Sequence, residues 1–184
     1  AFATIAKRIE TPLRGLPAKL LPVRMFVAGG AALHFYTGVR VSKDIDAVFS
    51  HRIALPENLE VSYRDADGAA RLLYFDTQYN DTLGLMHEDA QEDAVRLNLP
   101  GIDACILDVR ILRAVDLAVS KLGRFSTQDR EDIVALARAG KIDVGALRRR
   151  AEQALEAYVG DSGRALGAID LACNLVEAAL RPAD

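Results

Sequence analysis

Near residue 110 the hydrophobic pattern of the chain changes period, and that change limits the folds open to it. From about residue 20 to residue 109, apolar residues fall in short β-prone or alternating runs separated by glycine, proline and aspartate. Val23 to Val27 reads as a strand, Val39 to Phe49 as a second extended segment, and Leu59 to Tyr63 and Arg71 to Phe75 as strands around the turn Asp65-Ala66-Asp67-Gly68. Ala94 to Leu97 and Ala104 to Val109 add two more. Beyond residue 110 the repeat is helical. Ile111, Leu112, Val115, Val119 and Leu122 form one stripe, Thr127 to Ala139 a second helix, and Val144 to Tyr158 and Arg164 to Leu180 two more. The expectation is an α+β fold. A mixed sheet of four or five strands with flanking helices occupies residues 1–109, and a helical part occupies residues 110–184. Phe2, Ile5, Ala6, Ile9 and Leu13 add an amphipathic helix at the front, up to about Arg14, and Ala31 to Tyr36 a short helix closed by Gly38.

Composition narrows the class. The chain has 184 residues, of which 51% are hydrophobic and 27% charged, which suits one globular domain with at most a small appendage. No apolar run approaches the roughly 20 residues of a membrane span, and the first residues lack a signal peptide's apolar core. A formal net charge of −3 argues against a broad nonspecific nucleic-acid surface. The two cysteines, Cys105 and Cys173, lie far apart and His34, His51 and His87 are scattered, which excludes a zinc knuckle or a disulfide framework. A reducing, cytoplasmic location is expected. Both cysteines sit in apolar stretches and read as core. His34 reads as a packed helix histidine, and Arg148-Arg149-Arg150 as a solvated face with Glu152 and Glu156 as counter-charges.

The chemistry concentrates in Phe26-Val27-Ala28-Gly29-Gly30-Ala31 and Ser42-Lys43-Asp44-Ile45-Asp46-Ala47-Val48. On one strand, Asp44 and Asp46 leave the same face about 6.5 Å apart. Like charges that close repel unless a cation lies between them, and a pair of Mg²⁺ ions about 4 Å apart suits such a comb. Gly29-Gly30, at a strand-to-helix junction, lets backbone amides approach a phosphate. Strand, Gly-Gly, short helix, then Asp-x-Asp with 13 residues between Gly30 and Asp44 describe a metal–triphosphate site.

This arrangement resembles the polymerase-β-type nucleotidyltransferase superfamily, and within it small bacterial proteins related to the abortive-infection (type IV toxin–antitoxin) nucleotidyltransferase toxins. The resemblance covers roughly residues 23–140. It implies that Asp44 and Asp46 ligate magnesium and that Gly29, Gly30, Ala31 and Ser42 line the nucleotide. Lys121-Leu122-Gly123-Arg124 and Gln128-Asp129-Arg130-Glu131-Asp132-Ile133 look like the two further motifs of those toxins. Lys121 would then contact nucleotide phosphates and Asp129 complete the far wall. Arg124 and Asp132 share these motifs. A third carboxylate is usual in the superfamily, where it commonly serves as general base. Asp76, at the end of Leu72-Leu73-Tyr74-Phe75, is the best placed, ahead of Asp103 and Asp108. The implied reaction moves a nucleoside monophosphate from an NTP to an acceptor, which is an RNA end such as tRNA, a protein or a small molecule. The toxin likeness adds an antitoxin as a possible partner.

Two classes of reading compete, other enzymes and an inactive module. Asp44-Ile45-Asp46-Ala47-Val48 formally fits the nucleophile motif of haloacid-dehalogenase-type phosphatases, although Gly38 to Lys43 is too polar for the buried strand that precedes it there; an Asp-x-Asp glycosyltransferase leaves Gly29-Gly30 unexplained. The other reading is an inactive nucleotide- or partner-binding module of the same fold.

Overall fold

The computed structural model describes residues 1–39, 42–80 and 84–181. Its elements run α1 (Phe2–Leu13), β1 (Val23–Val27), α2 (Gly29–Thr37), β2 (Asp44–Ile45), β3 (Ala47–Phe49), β4 (Glu60–Arg64), β5 (Ala70–Phe75), β6 (Val95–Arg96) and β7 (Leu107–Ile111), then α3 (Ala114–Ser120), α4 (Thr127–Arg138), α5 (Val144–Leu155) and α6 (Ser162–Leu180). The fold is α+β, with the strands in the front of the chain and four helices behind them. No described helix is long and apolar enough to cross a membrane. Two compact units emerge. One is built from Ala1–Ala31, Val41–Asn80 and Ala94–Ile111, the other from Ala32–Arg40, Asp81–Asp93 and Leu112–Asp184.

The first unit holds all the strands, in two sheets rather than one. A four-stranded sheet has the order β3-β1-β7-β6, and a three-stranded sheet the order β2-β5-β4. β1 lies between β3, antiparallel, and β7, parallel, with Val23 opposite Leu107 and Val27 opposite Ile111. A strand flanked on both sides carries a nearly continuous apolar run. Val23, Met25, Phe26 and Val27 are accordingly buried. α1 buries Ile5, Ala6, Ile9 and Leu13, the stripe its sequence predicts. Its Glu10 is also fully buried, held between Lys7 and Arg14.

Residues 42–49 depart from the expected single strand beside β1. Arg40 and Val41 lie outside the described residues. Of the rest, only β3 neighbours β1, whereas β2 pairs with β5, Asp44 opposite Tyr74 and Ile45 opposite Phe75. The reason is local. Successive carbonyls of an extended chain point to opposite sides. The Ile45 carbonyl accepts the Asp76 N–H at 3.1 Å, and the Asp46 carbonyl accepts the Ala28 N–H at 2.8 Å. Asp46 is thus the point at which the chain passes from one sheet to the other.

The last strand also starts later than Ala104. The Asp103 carbonyl accepts the N–H groups of Ile106 and Leu107, and its carboxylate accepts that of Cys105. This turn delays β7 to Leu107 and leaves Cys105 exposed, contrary to its reading as core; Cys173 is buried in α6.

The second unit packs Leu33, Leu85, Leu117, Leu122, Ile133, Leu136 and Leu147, all nearly inaccessible. α6 contributes Ala165, Ala168, Ile169, Ala172, Cys173 and Val176 at helical spacing. Two readings are corrected here. His34 stands exposed on α2 rather than packed. Arg150 turns inward instead of lining a solvated face: its Nε donates to Asp116, itself fully buried, at 2.6 Å, and its guanidinium reaches Asp93 at 2.8 Å. A buried carboxylate needs such a partner to remain charged. Arg148 pairs with Asp170 and Glu152 on the surface.

Candidate functional site

The strand-to-helix junction after β1 carries the first half of the site. Gly29 opens α2 with φ +56°, in the left-handed region where only glycine sits without strain. A Cβ built there would stand 1.8 Å from Oδ2 of Asp46 and 2.9 Å from its Cβ. The missing side chain of Gly29 is therefore the space in which the Asp46 carboxylate lies. The sequence assigns this close approach to a phosphate; in the structure the protein's own carboxylate makes it. That carboxylate rests on the first turn of a helix, where N–H groups without helical partners favour negative charge.

Asp44 supplies the second half. Ser42 Oγ donates to Asp44 Oδ1 at 2.5 Å, which fixes the direction of the carboxylate. Ile45 between the aspartates is fully buried, while Asp44 and Asp46 are both partly exposed. Both aspartates therefore reach solvent on either side of a buried isoleucine. Ser42, placed among the nucleotide residues by sequence, here acts on Asp44. Gly30 is buried in α2 and Ala31 is partly exposed.

Asp76 follows β5 directly, and its N–H donates to the carbonyl of Ile45, the residue before Asp46. Its Oδ1 also accepts the Gln78 N–H at 2.8 Å, a turn contact. Asp108, 1% exposed, is taken up by Arg96 and Arg110, and Asp103 by the turn before β7. Among the described residues no group of three or more His, Cys, Asp or Glu side chains is gathered to hold a metal. Two hard carboxylate oxygens still suit Mg²⁺, which takes one or two protein carboxylates and completes its shell with water and substrate phosphate. Asp44 is the first residue of β2 and does not end a buried strand, so the phosphatase reading loses its geometry.

The helical unit brings Lys121, Arg124, Asp129 and Asp132 together by itself. Lys121, the residue that ends α3, is 8% exposed, which rules out a solvated lysine. Its Nζ donates to Asp132 Oδ2 at 2.6 Å and lies 3.9 Å from Asp129 Oδ1. Arg124 donates twice to Asp129, both at 2.8 Å. Ser126 and Asp129 form a reciprocal capping box at the start of α4. Gln128 donates to the other oxygen of Asp132 at 3.1 Å. Sequence reasoning placed Asp132 behind Asp129, yet Asp132 is the nearer partner of Lys121. The three-residue spacing of the two aspartates, one helical turn, is the signal that both face one lysine.

Burial pushes the Asp129 carboxyl up, but the Arg124 guanidinium and the Ser126 hydroxyl and N–H outweigh it and bring it down to about 2. A lowered folded-state value stabilises above the unfolded value and is lost as pH falls through the folded one. Asp129 is therefore expected to contribute about 2 kcal/mol at neutral pH, lost between roughly pH 4 and pH 2. Urea titrations across that range should show a shallower acid loss in Asp129→Asn; an unchanged slope would leave the network without this effect.

A family model described as "Nucleotidyltransferase of unknown function (DUF6036)" matches residues 6–174. No curated protein matches the chain.

Proposed function

Because the chain belongs to this nucleotidyltransferase family over residues 6–174, we propose that Gly29, Asp44 and Asp46 form the centre of a magnesium-dependent transfer of a nucleoside monophosphate from an NTP to an acceptor hydroxyl. The observation that carries the reading is the Asp46 carboxylate seated in the space left by Gly29. It explains at once why the glycine and the aspartate occur together. Asp44, oriented by Ser42, and Asp46 would hold Mg²⁺. When bound, the ion would neutralise phosphate charge and lower the pKa of the acceptor hydroxyl. The acceptor oxygen bonds to the α-phosphorus, the bond from that phosphorus to the bridging oxygen breaks, and pyrophosphate leaves. Asp76, whose N–H is bonded to the Ile45 carbonyl between the two aspartates, is the candidate to take the hydroxyl proton. The acceptor is an RNA end such as tRNA, a protein or a small molecule, and the likeness to abortive-infection toxins adds a neutralising antitoxin to the proposal.

The test is a panel of NTPs labelled at the α-phosphate, incubated with total tRNA and cell lysate with and without Mg²⁺. Label should pass to an acceptor only with Mg²⁺, and Asp46→Ala should abolish transfer. The Gln78 contact to Asp76 favours one second reading, a module that binds Mg·NTP without turnover. It predicts NTP binding by calorimetry with no labelled product. Absence of both binding and transfer would overturn the two readings together.

A further inference from the structure

The outer face of the β2-β5-β4 sheet carries apolar side chains that packing does not explain. Along β5, Leu73 and Phe75 point inward and are 8% and 5% exposed, whereas Leu72 and Tyr74 point outward and are 44% and 40% exposed. Phe75 stacks on Phe49 in the interior, with ring centroids 5.8 Å apart. Tyr74 stands instead in direct register with Asp44 on the neighbouring parallel strand. Residues opposed in this way share a face, about 4.8 Å apart. The aromatic ring therefore rises beside the carboxylate that Ser42 orients. Leu72, two residues back on the same strand, extends the same surface.

Gly29 lies against Asp46, and Tyr74 lies beside Asp44. The two aspartates are thus flanked by a helix N-terminus, against Asp46, and by an exposed aromatic ring, beside Asp44. A nucleoside triphosphate has the same polarity, with charge at one end and a flat π-system at the other. We infer that Tyr74, backed by Leu72, is the platform on which the base of the bound NTP stacks. This inference rests on the reading of Asp44 and Asp46 as the metal–triphosphate centre. Stacking on an aromatic ring accepts any base, because every base has a π-face. The platform therefore supplies affinity and orientation with little discrimination among the four NTPs.

The chain contains no tryptophan, so Tyr74→Trp places a single indole reporter at the proposed platform. Mg·NTP is expected to quench its fluorescence. Mg·tripolyphosphate, which has the charge and no base, should bind by calorimetry without quenching. Tyr74→Phe should keep NTP affinity within about twofold, and Tyr74→Ala should weaken it by roughly 5- to 100-fold, the range for loss of one stacked base. Tripolyphosphate affinity should be the same in all four proteins. NTP binding without quenching, or with unchanged affinity in Tyr74→Ala, would overturn the platform and leave the carboxylate site standing. Quenching by RNA alone, with none by NTP, would also overturn it. If neither NTP nor tripolyphosphate binds wild-type protein, the metal–triphosphate centre itself is wrong and the platform falls with it.

Discussion

Gly29→Ala is expected to abolish nucleotidyl transfer and to lower stability by about 2–5 kcal/mol, combining left-handed backbone strain with overpacking. A single methyl group causes both losses. At φ +56° an L side chain is strained, and the new Cβ would fall 1.8 Å from the Asp46 carboxylate. The carboxylate must swing away, which removes it from its place against the start of α2. The interpretation can be checked by a double-mutant cycle, since residues in contact are not additive. In an Asp46→Gly background nothing of the Asp46 side chain remains to be struck, and Gly29→Ala should then cost only the strain of its backbone, about 1–2 kcal/mol. Urea denaturation of the four proteins measures this. Strict additivity would show that Gly29 is constrained by its backbone alone.

Lys121→Ala is the second large effect, and it falls on stability before activity. Asp132 is 3% exposed and Lys121 8%. Removing the ammonium takes from buried Asp132 the charged partner that donates to it at 2.6 Å, so a loss of about 3 kcal/mol is expected, the low end for breaking a buried pair. Lys121→Met combined with Asp132→Leu should recover much of it, because an apolar pair of similar volume often replaces a buried ion pair without penalty. The double variant also separates the two roles assigned to the lysine. If it is stable and still binds NTP as the wild type does, Lys121 serves the helical unit alone. If it is stable and NTP binding falls, the resemblance that gives Lys121 a phosphate is supported by a measurement free of unfolding.

The sequence reading did best where one short segment decides its own structure. β1 is bounded by Pro22 and Ala28, and its run of apolar residues between two strands could be read directly. The β4–β5 pair followed from the Asp65–Gly68 turn, and α4 from the helical repeat over Thr127 to Ala139. The readings failed where a distant partner decides. Nothing within residues 39–49 says that Ile45 answers to Asp76 while Asp46 answers to Ala28. The split into two sheets was therefore invisible. Arg150 reads as one of three basic residues until Asp116 and Asp93 are brought to it. Cys105 failed for a nearer reason, because Asp103 holds the turn that exposes it. For the site, the glycines and the aspartates were legible as a set, but the use of Gly29 to admit Asp46 was not. That depends on a carboxylate rotamer and a backbone angle, which residue type alone does not fix. Tyr74 carries no such signal in the sequence, because residue type does not say which neighbour an outward side chain meets.

The parallel pairing of β1 with β7 has a consequence for synthesis. Val23 and Leu107 are direct neighbours in the sheet but about 80 residues apart in the chain. At roughly 5–20 residues per second, several seconds separate the emergence of β1 from that of its second partner. During that interval β1, apolar at every position but Arg24, has only β3 at one edge, and its other edge is open to any strand it meets. Gly29 and Asp46 are made early and close together, so their contact does not wait. The strand that anchors Gly29 does. A nascent chain halted before residue 107 would therefore carry Gly29 behind a strand with one edge unpaired, prone to aggregation and a natural substrate for a holding chaperone.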